Sequence, residues 1–117
     1  MKDLNVKQNE ICSKYGVASS PPEPLSKVGI AQNVRSGLQP INGLRHPPKG
    51  DTNGWYIWAG EEFSEDPNFF VSLHTEHIKE WCPEIIPYLA LPPGWRFLVT
   101  SDHEDIWFDE TLLRIDE

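Results

Sequence analysis

Hydrophobic and polar positions change period several times along this chain. Near the start, Leu4, Ile11, Cys12 and Tyr15 recur close to helical spacing, Val6 falls off that face, Asp3 stands where a cap would sit, and Gly16 closes the run. A short helix is predicted there, ended by the break SSPPEP at 19–24. KVGIAQNV at 27–34 alternates, with Val28, Ile30 and Gln32 on one face and Gly29, Ala31 and Asn33 on the other, which predicts a brief strand. From Arg35 to Asn53 nearly every residue belongs to turn chemistry, and the stretch reads as a long loop anchored by Ile41 and Leu44.

GWYIWAG at 54–60 puts Trp55 and Ile57 on one face and Tyr56 and Trp58 on the other. Both faces are apolar, so this is a central strand covered on both sides. EEFSEDPN at 61–68 reads as a solvated loop and FFVSL at 69–73 as extended or loop-like. TEHIKEWCPEIIPYLAL at 75–91 reads as one or two short helices interrupted near Pro83 and Pro87, with Thr75 as N-cap and Ile78, Trp81, Ile85 and Leu89 facing inward. The closing segment predicts an antiparallel hairpin: Trp95 to Thr100 up, SDHED as an acidic turn, Ile106 to Phe108 down. Together these elements describe an α+β fold, a small and mainly antiparallel sheet with a few short helices, rich in loops.

A length of 117 residues fits a single domain spanning 1–117, whose first 20 residues are helix and linker. With only 38% hydrophobic residues the core is modest, and Trp55, Trp58 and Trp95 are expected to be its buried pillars. The formal charge of −8 and a pI near 4.9 repel phosphate backbones and anionic lipid, so neither nucleic acid nor membrane is expected as a partner. A basic protein partner fits better, beside the plain role of solubility. Cys12 and Cys82 lack paired spacing, and no apolar run approaches the roughly 18 residues that span a bilayer, which suits a cytoplasmic protein with reduced thiols.

Candidate chemistry is sparse. His74 and His77 in HTEH stand three apart and, with Glu76 or His103, could form a zinc set, but the spacing is not HExxH and no cysteine pair supports it. No metal, cofactor or catalytic residue is therefore nominated. The carboxylates of EEFSED and DHED lie in polar loops without the burial that splits pKa values for acid–base work. Neither cysteine lies in a nucleophile signature, and no glycine loop suited to phosphate occurs. Arg45 and His46, a cationic pair in a proline-flanked loop, either pin that loop to a carboxylate or carbonyl or form a small anion site.

NGLRH at 42–46, GWYIWAGEE at 54–62, FF and LHTEH within 69–77, CP at 82–83 and LPPGWRFL at 91–98, followed by DIWFDETLL, resemble a bacterial immunity-protein domain. It is the one numbered thirty-three among polymorphic-toxin systems, long carried as a domain of unknown function. The resemblance runs from about Ser26 onward and departs at Ser72, where proline is expected just before Leu73. It implies a small cytoplasmic inhibitor that binds a cognate toxin. Under that reading a cationic toxin would meet Glu61, Glu62, Glu65 and Asp66, with Phe63 as apolar anchor, and a second patch at Asp102, Glu104 and Asp105. Two other classes stand behind it: a ligand-binding adaptor with a pocket between the long loop and the Trp-rich strand, and, last, a metal-dependent hydrolase using His74, His77 and an acid.

Overall fold

The computed structural model describes residues 2–23, 25–60 and 69–113, with side chains from Val6 onward. Helix α1 (Lys2–Lys14) opens the chain, with Asp3 inside it rather than at its cap. Strands β1 (Lys27–Ala31), β2 (Ile41–Arg45), β3 (Thr52–Ala59), β4 (Phe70–His74), β5 (Trp95–Val99) and β6 (Glu104–Phe108) form one six-stranded sheet in the order β4-β1-β3-β2-β5-β6. Only β1 and β3 run parallel; the other neighbours are antiparallel. The α+β class read from the sequence is the observed one.

The middle of the predicted long loop is a correction. It contains β2, an interior strand held between β3 and β5, entered through a cis Gln39–Pro40 bond and left by a tight turn at Gly50 and Asp51. Asn42 and Gly43 suggested a turn, but Gly43 is in the strand because its neighbour needs the space: a Cβ there would run into the Phe97 ring. The predicted strand 27–34 is shorter than expected and ends at Ala31; Gln32–Ser36 turns into a 3-10 helix in which Asn33 exchanges two hydrogen bonds with the Ala59 backbone.

The strand 54–60 is central, as its sequence requires. Trp55, Ile57 and Ala59 face a cluster closed by Cys12 of α1, Ile78 of helix α2 (Ile78–Trp81) and Ile85 and Leu89 around the 3-10 helix Pro83–Tyr88. The opposite face is thinner. Trp58 is buried with Ala31, Leu44 and Leu112 against Phe69 and Phe70, whereas Tyr56 remains open to solvent, so cover on this side is partial. Trp95 is half-buried between Tyr15 and Phe108 rather than a core pillar.

Two local expectations change. Thr75 begins a 3-10 turn but does not cap it; its hydroxyl donates to the Ser26 carbonyl and accepts from Asn53. Pro83 separates the helices as expected, while Pro87 sits inside the 3-10 helix, whose geometry tolerates it at that position. Ser72, where the family pattern expects proline, lies in edge strand β4, the kind of strand in which proline is tolerated.

Trp55→Ala is expected to lower stability by about 3–5 kcal/mol and Gly43→Ala by about 1–3 kcal/mol, the second by forcing the Phe97 ring out of its rotamer. Urea unfolding measures both, and wild-type-like midpoints would remove the Trp55–Phe97 contact from its central place.

Candidate functional site

Two features stand out: the outer edge of the β5–β6 hairpin and a groove beside Arg45. In the hairpin, Val99 pairs with Glu104, so the turn is shorter than SDHED and Glu104 and Asp105 belong to the strand. Alternation then separates the acids. Glu104 turns towards the helices, where it accepts from the Tyr88 hydroxyl at 2.9 Å and lies 3.7 Å from the Lys14 ammonium. Burial, reinforced by this carboxylate, raises the Tyr88 phenol above its ordinary range. Asp102 accepts from the Thr100 hydroxyl at 3.1 Å and Asp105 lies 3.0 Å from His103 Nε2, both exposed.

β6 forms one outer edge of the sheet, and apolar surface accompanies its acids. Trp107, Phe108 and Leu113 are 39%, 48% and 43% exposed. Phe108 and Leu113 meet above Gly94, where a Cβ would touch both. Trp107 lies under the Arg96 guanidinium at 5.3 Å, and Arg96 is held by Asp109 at 3.2 Å. A Thr111 hydrogen bond and then Arg96 keep the Asp109 carboxyl below its ordinary value despite partial desolvation. The sequence placed these aromatics in a strand but gave no sign that they stay open; that depends on how little packs over the faces of β6.

The second feature begins with a β-bulge. Lys27 pairs with Thr52 but Gly29 with Tyr56, so Val28 faces three residues of β3. Gly54 takes a positive φ of 94° there, and a Cβ on it would collide with the His46 carbonyl. The bulge aims the Asn53 carbonyl at Arg45 Nε, 2.9 Å away, while the Asn53 amide donates to Ser26 and Thr75. Arg45 Nη1 donates to the carbonyls of Ser20 at 2.7 Å, Leu91 at 2.8 Å and Leu89 at 3.4 Å. His46 Nδ1 lies 3.0 Å from the Leu112 carbonyl. Pinning to carbonyls, the first of the two roles read from the sequence for this pair, is what the fold uses.

Burial pulls the Arg45 guanidinium down to about 10, still well above neutrality, so it stays cationic. Beside it a groove of about 410 Å³ opens between the Pro21–Ser26 and Pro48–Asn53 segments. It adjoins the former long loop, as the adaptor reading supposed, but its other wall is the N-terminal linker and no tryptophan lines it.

The remaining candidates are dispersed. Glu61, Glu62, Phe63, Glu65 and Asp66 lie outside the described residues. His74 and His77 have ring centroids 6.3 Å apart, His77 stands near Glu76 and Glu80, and His103 is engaged with Asp105. Among the described residues no group of three or more His, Cys, Asp or Glu could hold a metal ion. Both cysteines are free and buried, and burial followed by the Glu84 charge pushes the Cys82 thiol up to about 12. No helix among the described residues is long and apolar enough to cross a membrane.

The family model described as the Imm33-like domain matches residues 7–109, a span that takes in the second half of α1, the entire sheet, the bulge, Arg45 and the acidic hairpin. The chain belongs to the Imm33-like domain family. It is an immunity-protein family by name, which agrees with the resemblance carried by GWYIWAGEE and LPPGWRFL. No curated protein and no solved structure matches this Imm33-like chain. The matched span reaches the hairpin and its Trp107–Phe108 pair but stops before Leu112 and Leu113.

Replacing Arg45 by Met in this Imm33-like domain takes its donors from the carbonyls of Ser20, Asn53 and Leu91, while Leu89 keeps the Trp55 indole. The expected cost is about 3–5 kcal/mol, read as a lower denaturation midpoint. Both thiols are expected to resist iodoacetamide at pH 8 until the protein unfolds, because burial suppresses thiolate as well as access. Mass spectrometry of folded and urea-treated samples checks this; rapid labelling of the folded chain would show that the segment around α1 opens readily.

Proposed function

We propose that this Imm33-like domain neutralises a cognate toxin in the bacterial cytoplasm by direct protein–protein contact, without catalysis, and that the toxin surface it meets is basic. The observation that carries this reading is the exposure of two aromatics, Trp107 on one face and Phe108 on the other, along an acidic edge strand in a chain of an immunity-protein family. Large aromatics that stay open on a small domain are suited to fill pockets on a partner and slow dissociation. Acids around them steer the encounter, and a formal charge of −8 extends that field over the whole molecule.

Within this reading the residues divide the work. Asp102 and Asp105 carry unburied charge at the hairpin end, Glu104 is partly committed to Tyr88 and Lys14, and Trp107 and Phe108 are the anchors. The segment Glu61, Glu62, Phe63, Glu65 and Asp66 supplies a second acidic element with its own aromatic. Inhibition then requires only occupation of the toxin surface, for which no metal or cofactor is needed.

The test is binding kinetics against the cognate toxin, captured with the wild-type protein as bait. Asp102→Lys with Asp105→Lys is expected to slow association about tenfold at low salt, with the effect fading as exposed charges are screened over about 8 Å at physiological ionic strength. Trp107→Ala is expected to speed dissociation about thirtyfold, in the range of an interface hot spot. Glu61→Lys, Glu62→Lys and Asp66→Lys together should also slow association. Melting temperatures should stay near wild type in the Asp102/Asp105 variant because both sites are exposed. Wild-type kinetics in all three variants would reject the proposed surface.

A further inference from the structure

The groove beside Arg45 is not needed for toxin neutralisation, and its chemistry is different from that of the acidic hairpin. Pro21, Pro22, Leu25 and Pro48 give it apolar walls, and Leu25 is 71% exposed at its margin. Arg45 also lines it, although that residue is only 3% exposed. Its Nε and Nη1 are spent on backbone carbonyls and its carbon lies 5.6 Å from the Trp55 ring, while Nη2, with two N–H donors, has no acceptor among the described residues and is not sealed from solvent. No carboxylate among the described residues forms an ion pair with the guanidinium. A buried charge is costly without a counter-ion, and carbonyl dipoles offset only part of that cost. In a chain with eighteen acidic residues this cation is left to face an open groove.

We propose that the groove binds a monocarboxylate with a short apolar body, whose carboxylate accepts from Arg45 Nη2 while its body lies against the prolines and Leu25. Single charge and apolar body are both set by the walls. Glu23 and Asp51 also line the groove. Lys27, 3.1 Å away, keeps the Asp51 carboxyl below its ordinary value and therefore ionised. A doubly charged phosphate meets roughly twice the repulsion from these acids that a carboxylate does, and it offers nothing to the proline walls. A neutral amide suits the walls but leaves the buried charge uncompensated. The same chemistry is presented by a free short-chain acid and by the C-terminal carboxylate of a peptide.

Arg45 variants are expected to lose fold stability, so the test turns on the ligand and on Leu25. The full chain is titrated with hexanoate, N-acetyl-leucine, hexanamide and inorganic phosphate, with binding followed at the Arg45 Nε–Hε signal by nitrogen-15 NMR. Hexanoate or N-acetyl-leucine is expected to bind with a dissociation constant on the order of 1 mM, appropriate to so few atoms. Hexanamide and phosphate are expected to bind at least about tenfold more weakly. Preference for hexanoate assigns the site to a free acid, and preference for N-acetyl-leucine to a peptide terminus. Leu25→Lys should tighten carboxylate binding about threefold and Leu25→Glu weaken it about threefold, as exposed charges do, with melting temperature unchanged. Hexanamide binding as tightly as hexanoate, carboxylates that leave the Arg45 signal unmoved, or a Leu25→Glu variant with wild-type affinity would each overturn the proposal. None of these results bears on toxin binding through the hairpin.

Discussion

The guanidinium of Arg45 is the interaction on which the rest of the structure depends. A single buried side chain ties together the linker at Ser20, the bulge at Asn53 and the segment around Leu89 and Leu91. Trp55, paired with Arg45 across β2 and β3, adds a second tether through its indole donor to the Leu89 carbonyl at 2.9 Å. Those carbonyls belong to irregular backbone that has no ladder of its own, and buried carbonyls without donors are costly. Arg45 thus lets a small protein bury loops rather than only regular elements. The large proline content fits this solution: segments that cannot form ladders are held by a side chain instead.

From that centre the two faces of the sheet take different roles. One is closed by α1, α2 and the 3-10 helix, with Trp55 against Phe97 at a centroid distance of 5.5 Å and Phe97 stacked in turn on Tyr88 at 5.1 Å. The other carries Trp58, Leu44 and Leu112 in a smaller cluster and leaves Tyr56 and Trp107 in contact with solvent. Under the proposed function, rigidity on the first face would serve recognition along the β6 edge, because anchors held on a strand lose little freedom on binding. The carboxylates of the acidic hairpin are solvated and paired locally rather than forced together.

How much of this was legible in the sequence depends on whether the signal was local. The period of GWYIWAG fixed β3 as a central strand because both its faces are apolar, and Pro83 marked the break between helices because proline interrupts an α-helical ladder. The α+β class, the closing hairpin and the immunity-family motifs followed in the same way. Ser72, where the resemblance led to an expectation of proline, lies within edge strand β4 paired with Gly29.

What tertiary structure alone decided was every feature set by a distant partner. Asn42 and Gly43 look like turn residues, yet Gly43 is a strand residue because the Phe97 ring occupies the space of its missing side chain. Arg45 was recognisable as a pin, but which carbonyls it holds, and that it lines a groove, depend on segments brought together only by folding. Which of Glu104 and Asp105 turns towards the helices depended on the register between β5 and β6, since a shift of one residue would exchange their faces. Sequence periodicity states which residues share a face; which face is covered, and by what, is settled by contacts between residues far apart in the chain.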